Sequence, residues 1–138
     1  MNHLDLFSGI GGFALSAKWA GFETIAFCEI EKYCQRVLRK NFGEWIVIHD
    51  DIKQLDGTRY AGTIDLLTGG FPCQPFSKSG AQLGMDETRG TLFYNIARIL
   101  EKRRPKVIVL ENVRNLTGPK HKHTWALDRK STRLNSSH

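Results

Sequence analysis

"HLDLFSGIGGFALSAKWAGFETIAFCE", residues 3–29, holds the pattern that decides the fold. His3 to Phe7 is a short apolar strand that runs into the glycines Gly9, Gly11 and Gly12. Phe13 to Ala20 has helical character and stops at Gly21, a residue suited to a helix C-terminus. Glu23 to Cys28 then reads as a second, buried strand. A strand, a glycine turn, a helix and a strand in about 27 residues form a parallel βαβ unit.

The same alternation continues outward. Glu31 to Phe42 places Tyr33, Val37 and Leu38 on one helical face, and Trp45 to Asp50 and Ile64 to Gly70 read as strands. Thr91 to Arg104 is an amphipathic helix with Phe93, Ile96, Ala97 and Leu100 on one side, stopped by Pro105. Lys106 to Glu111 is nearly all apolar, as expected of a strand covered on both faces. The expected fold is α/β: a parallel sheet with helices on both faces. Ligands of such sheets bind beyond the carboxyl ends of the strands. Each of the five strands here ends in unusual residues: the glycines, Glu29, Asp50 and Asp51, a Pro-Cys loop, and Glu111 with Asn112.

Bulk properties narrow the function classes. The chain has 138 residues, 41% hydrophobic and 25% charged, which is ordinary for one folded domain. No apolar run is long enough to span a membrane, and the N-terminus lacks a signal-peptide pattern. Three cysteines without CxxC spacing argue against a disulfide framework or a metal site and for a cytoplasmic setting. The net charge of +6 is compatible with a polyanionic partner. Part of that charge lies in Asp128 to His138, "DRKSTRLNSSH", which has no apolar period and resembles the translation of a sequencing-library adapter. We expect residues 1–127 to be a partial catalytic domain and residues 128–138 an artefactual tail. The tail holds three of the 20 basic residues and one of the 14 acidic ones, so residues 1–127 carry +4.

The first strand ends points to a nucleoside. Glycines let a backbone approach a ligand, and the following helix N-terminus offers free N–H groups. The G-x-G-G spacing is not a dinucleotide fingerprint, and no lysine follows it, which excludes a P-loop. Glu29, 20 residues after Gly9, can accept hydrogen bonds from ribose hydroxyls, or can simply open the next helix. Asp51 can receive an adenine amino group, or cap a turn. Together they suggest an adenosine-bearing ligand without a pyrophosphate.

The reacting end is "GGFPCQPFS", Gly69 to Ser77. Most cysteines are small buried hydrophobes, and Cys28 and Cys34 fit that role. Cys73 lies between Pro72 and Pro75 on a loop at the ligand edge, where a thiol favoured as thiolate is a nucleophile; Lys78, Arg89 and Arg114 are candidate cations. Glu111 follows four apolar residues, and a partly buried carboxyl there can act as an acid near neutrality or cap the next turn.

"DLFSGIGGF", "GGFPCQPFS", "RGTLFYNIARI" and "ENVRNL" together resemble the DNA (cytosine-5)-methyltransferases in order and spacing, from about Leu4 to Leu116. The resemblance implies a Rossmann-like fold, truncated here after the fifth strand, with S-adenosylmethionine as cofactor. It makes Cys73 of the Pro-Cys motif, with Pro72, the nucleophile toward C6 of a cytosine flipped out of double-stranded DNA. It makes Glu111, with Asn112, the group that holds or protonates N3. Phe7, Ile10, Gly12, Glu29, Ile30, Asp51, Ile52, Pro72 and Leu92 match positions lining the cofactor pocket. The implied parent is a monomeric DNA methyltransferase of the restriction-modification kind. The 138-residue chain itself is expected to bind the cofactor poorly and to be inactive, with its apolar sheet edge exposed. A transfer-RNA cytosine-5 methyltransferase and a non-catalytic nucleic-acid-binding module are the alternatives.

Overall fold

The alternation of short apolar runs with amphipathic ones is realised as a parallel sheet. A computed structural model describes residues 1–60, 62–70, 95–101 and 104–111. Strands β1 (Asn2–Leu6), β2 (Glu23–Cys28), β3 (Val47–His49), β4 (Leu66–Gly70) and β5 (Val107–Glu111) pair in the order β3-β2-β1-β4-β5. Every pair is parallel. The order reverses between β1 and β4, so the glycine loop after β1 stands at the topological switch point, where open α/β sheets bind ligands.

Alternation along the strands separates two cores. Leu4, Leu6, Ala26, Cys28 and Leu67 face Ile96 and Ile99 of a helix described over residues 95–101, with Ile52, Leu55 and Tyr60 closing the cluster. On the other face, Phe27 packs with Ala14 of helix α1 (Gly12–Trp19) and Leu38 of helix α2 (Lys32–Phe42). Helices therefore lie on both faces. Gly21 ends α1 as its sequence position implies: its φ is +85°, and its N–H reaches the Lys18 carbonyl while that of Phe22 reaches Ala17.

Three expectations need correction. The strand read from Trp45 shrinks to Val47–His49, because Arg39 at the end of α2 donates to the carbonyls of Glu44 and Ile46 and holds that stretch as a turn; Trp45 is exposed. Helix α2 buries Gln35 and Leu38 and leaves Tyr33 outside and Cys34 half-buried. Strand β5 is not covered on both faces among the described residues: there it pairs only with β4, and Val107 to Leu110 are exposed.

A polar chain crosses the sheet on the Phe27 face. His3 Nδ1 lies 2.8 Å from the Thr24 hydroxyl and Nε2 lies 2.7 Å from that of Thr68, which donates to Asp5 Oδ1. Because the Thr68 proton goes to Asp5, its oxygen accepts from Nε2–H, and the imidazole is neutral with Nδ1 as acceptor. Burial pushes His3 down to about 4. Burial also pushes Asp5 up to about 7; Glu29 adds to the rise, while the hydroxyls of Thr68 and Ser8 oppose it. Asp5 Oδ2 is buried without a hydrogen-bond partner among the described residues.

The two groups have opposite linkage. Folded Asp5 keeps a proton that the unfolded chain loses above pH 3.8, so its contribution falls as pH rises toward 7. Unfolded His3 keeps a proton up to 6.5 that the folded state sheds near 4, so its contribution rises over that window. Each slope is about 1.4 kcal/mol per pH unit, and between 4 and 6.5 they cancel. Relative to wild type, His3→Gln should lose stability with rising pH over that range and Asp5→Asn should gain it. Urea unfolding at pH 4.5, 5.5 and 6.5 checks this as about ±1.4 kcal/mol per unit; parallel curves for all three proteins would refute it.

Candidate cofactor and catalytic site

The site is built at the C-terminal rim of the sheet. After β1 the chain turns sharply: Phe7 takes φ 54°, a left-handed conformation costly for a residue with a Cβ, and Gly9 and Gly11 take φ 55° and 97°. The Ser8 hydroxyl donates to the Asp5 carbonyl, and the Ser8 N–H donates to Cys28 O, tying the turn to β2.

Glu29, at the end of β2, completes that tie. Its Oε2 accepts the Gly9 N–H at 2.7 Å and its Oε1 accepts the Glu31 N–H at 2.8 Å. The carboxylate is buried and fixed between the glycine loop and the start of α2, with the remaining lone pairs of both oxygens able to receive hydroxyls. Glu29 N–H donates to His49 O, so the ends of β2 and β3 are joined as well. Gln35 anchors the same corner by donating to Glu29 O at 2.6 Å and Asp50 Oδ1 at 2.8 Å. Gln35 and Lys32 hold the Asp50 carboxyl below its ordinary range. Sequence reasoning missed Gln35; its offset of six residues from Glu29 on a polar helix gave no periodic signal.

The glycines have separate tasks. A Cβ on Gly11 would stand 2.5 Å from the Phe42 ring and 3.0 Å from Leu38, at a φ that side chains avoid. Backbone strain of about 1–2 kcal/mol and overpacking of about 1–3 kcal/mol add in Gly11→Ala. We expect it to lower unfolding stability by about 3 kcal/mol, read from denaturant midpoints; a loss under about 1 kcal/mol would contradict this packing. A Cβ on Gly12, in contrast, meets nothing within 4 Å. Among the described residues, the space above the first turn of α1 is open.

The other positions expected to line the pocket divide into two groups. Ile10 and Ile30 are exposed at the rim, apolar and free to cover a ligand. Asp51 is half-buried, with Oδ1 accepting the Lys53 N–H at 2.9 Å, so it does cap a turn. Ile52 sends its side chain into the core, and Phe7 packs against the same cluster. Leu92, Pro72, Cys73 and Asn112, like Lys78, Arg89 and Arg114, lie outside the described residues.

Glu111 ends β5 opposite Gly70, the last described residue before the Pro-Cys loop. Its Oε2 is 3.6 Å from where a Cβ on Gly70 would stand. The partial burial expected of Glu111 is not present: it is exposed, on a strand that pairs only with β4 among the described residues. Its carboxyl nonetheless sits beside Gly70, which precedes Cys73 by three residues in the sequence.

The family model described as C-5 cytosine-specific DNA methylase matches residues 1–130. The chain belongs to that family. Relatives within this methylase family include type II methyltransferase M.AluI of Cellulosimicrobium cellulans, 53% identical over 126 residues, covering 88% of this chain and 24% of the relative. Type II methyltransferase M.Eco47II of Escherichia coli is 48% identical over 113 residues, covering 82% of this chain and 27% of the relative. The chain thus spans about a quarter of the length of these curated methylases. The structure of S. pombe Dnmt2 methyltransferase matches with a TM-score of 0.73 at 26% identity, over 97% of this chain and 42% of that one. The parallel sheet is that of the S-adenosylmethionine-dependent methyltransferase fold. An adenosine-bearing donor suits this rim: a fixed carboxylate at Glu29, open space above Gly12, and exposed apolar side chains at Ile10 and Ile30.

Proposed function

We propose that this segment belongs to an enzyme that transfers a methyl group from S-adenosylmethionine to C5 of cytosine in double-stranded DNA, through a covalent adduct with Cys73. The observation that supports the reading is the register of β4 and β5, which pairs Glu111 with Gly70, three residues before Cys73 in the sequence. Cytosine C5 is a poor nucleophile. Addition of the Cys73 thiolate to C6, with a proton or hydrogen bond supplied at N3 by Glu111, moves electron density onto C5. C5 would then bond to the methyl carbon as the methyl–sulfur bond breaks, its electron pair returning to sulfur and S-adenosylhomocysteine leaving. Loss of the C5 proton to a base and expulsion of the thiolate restore the ring. The target base leaves the duplex, since stacking hides its face.

On the cofactor side, Glu29 would hold the ribose, Asp51 the adenine amino group, and Phe7, Ile10, Gly12, Ile30, Ile52, Pro72 and Leu92 the walls. Pro72 and Pro75 would fix the loop so that the sulfur faces the base, and Asn112 would secure the start of the segment after Glu111. The parent enzyme works as a cytoplasmic monomer in restriction-modification, and residues 128–138 are a foreign tail. The 138-residue chain alone lacks activity. Identity of 53% to a type II methyltransferase favours DNA over transfer RNA as the substrate.

Tritium transfer from labelled S-adenosylmethionine tests this, using the full reading frame that contains residues 1–127 and, separately, the 138-residue chain. Label should enter duplex DNA and not transfer RNA with the full frame, and neither nucleic acid with the short chain. Label confined to transfer RNA would replace the substrate. No label in either would support a binding module.

A further inference from the structure

The segment after β3 is held by one side chain of a helix packed on the same face of the sheet. Arg98, on the helix described over residues 95–101, donates from Nη1 to Leu55 O at 3.0 Å and from Nη2 to Ile52 O at 2.9 Å. Nη2 also reaches Lys53 O at 3.4 Å and Asn95 Oδ1 at 3.1 Å, the latter one helical turn earlier. Three backbone carbonyls within four residues thus converge on a single guanidinium. Such convergence is unfavourable without a cation at its centre, and only a flat group with several diverging N–H donors can meet all three.

The shape so imposed has a consequence for Asp51. Its Oδ1 accepts the Lys53 N–H, and its carbonyl accepts the Gln54 N–H, so the same turn that Arg98 braces fixes the carboxylate. Ile52 is drawn into the core and pins the turn from beneath. Below it, His49 Nε2 and the Tyr60 hydroxyl are hydrogen-bonded at 2.6 Å, which closes the far end of the segment. With Oδ1 engaged by the turn, the position of the second oxygen is set, and with it the place where a donor on a ligand must stand.

We propose that Arg98 is a positioning residue that gives the site its selectivity for adenine, by holding the Asp51–Leu55 turn in the one shape that aims the Asp51 carboxylate at the exocyclic amino group. This rests on the reading of Asp51 as the adenine partner. An amino group donates to the carboxylate; the carbonyl oxygen of a hypoxanthine base in the same place repels it. A loosened turn lets the carboxylate swing away and removes that discrimination. Arg98 itself touches no ligand in this account.

The test compares S-adenosylhomocysteine with S-inosylhomocysteine by calorimetric titration of the full reading frame containing residues 1–127, with thermal unfolding recorded for each variant. Wild type should prefer the adenosyl compound by about 100-fold, the scale of a polar group left unpaired or opposed. Asp51→Ala and Arg98→Ala should each bring the ratio to within about threefold, and the double variant should lose no more than either, since both act through one contact. Arg98→Lys keeps the charge without the fork and should lose at least about tenfold, so it serves even where Arg98→Ala fails to fold. Variants of Arg98 that lower the unfolding temperature yet keep the wild-type ratio overturn the inference and leave the Asp51 reading intact. An unchanged ratio in Asp51→Ala overturns both.

Discussion

In the full reading frame containing residues 1–127, Cys73→Ser should lower methyl transfer to duplex DNA by about 10⁴-fold or more, with the dissociation constant for S-adenosylmethionine unchanged; nucleophile replacements in covalent enzymes cost on this scale or beyond. The serine hydroxyl is nearly the same size but stays protonated at neutral pH, and its oxygen is a much weaker nucleophile toward an aromatic carbon than a thiolate. Without the addition at C6, C5 would not gain the electron density needed to attack the methyl carbon and displace the thioether. The cofactor end of the rim is held by Glu29 through the Gly9 and Glu31 amides and does not depend on the sulfur. A loss confined to kcat, measured by single-turnover tritium transfer, is therefore the signature. A variant that keeps a tenth of the wild-type rate would refute the covalent route.

Glu111→Gln should cost about 10²- to 10⁴-fold in the same single-turnover rate, the range of a positioned proton donor. The amide keeps the shape of the side chain and its place opposite Gly70 on β5. It can still donate a hydrogen bond to N3 but cannot transfer the proton. Addition of the thiol is then the step that slows, and the yield of covalent adduct at short times should fall in parallel with the rate. DNA affinity should change by less than about threefold, since the lost function belongs to the transition state. Equal losses in binding and in rate would make Glu111 a docking residue instead.

Much of this was legible in the residues, for reasons that lie in covalent periodicity. The run from His3 to Glu29 states its own fold, because parallel strands covered on both faces are mostly apolar and a tight turn into a helix favours glycine. The 20-residue step from Gly9 to Glu29 likewise corresponds to a direct hydrogen bond. What escaped were contacts made by polar side chains across distance in sequence. Gln35 was passed over for Tyr33, since hydropathy rewards an aromatic residue and ignores an amide that satisfies a carbonyl and a carboxylate. Trp45 looked like strand until Arg39 claimed the carbonyls on either side of it. Arg98 gives no periodic signal, and only the convergence of the Ile52, Lys53 and Leu55 carbonyls gives it a role. Glu111 was expected to be sheltered by its apolar strand, but strand and side chain are exposed, with β4 the strand's one partner among the described residues.

The most direct measurement is a trap. A duplex with 5-fluorocytosine at the target position lets the thiol add and the methyl group transfer, then stops, because fluorine at C5 does not leave as the proton does. Incubated with S-adenosylmethionine and the full reading frame containing residues 1–127, it should yield a protein–DNA adduct whose tryptic map places a methylated fluorocytosine on the peptide bearing Cys73. Cys73→Ser should yield none. Methylation of ordinary duplex DNA by an enzyme that forms no such adduct, or an adduct that persists in Cys73→Ser, would contradict the claim that this sulfur activates the base.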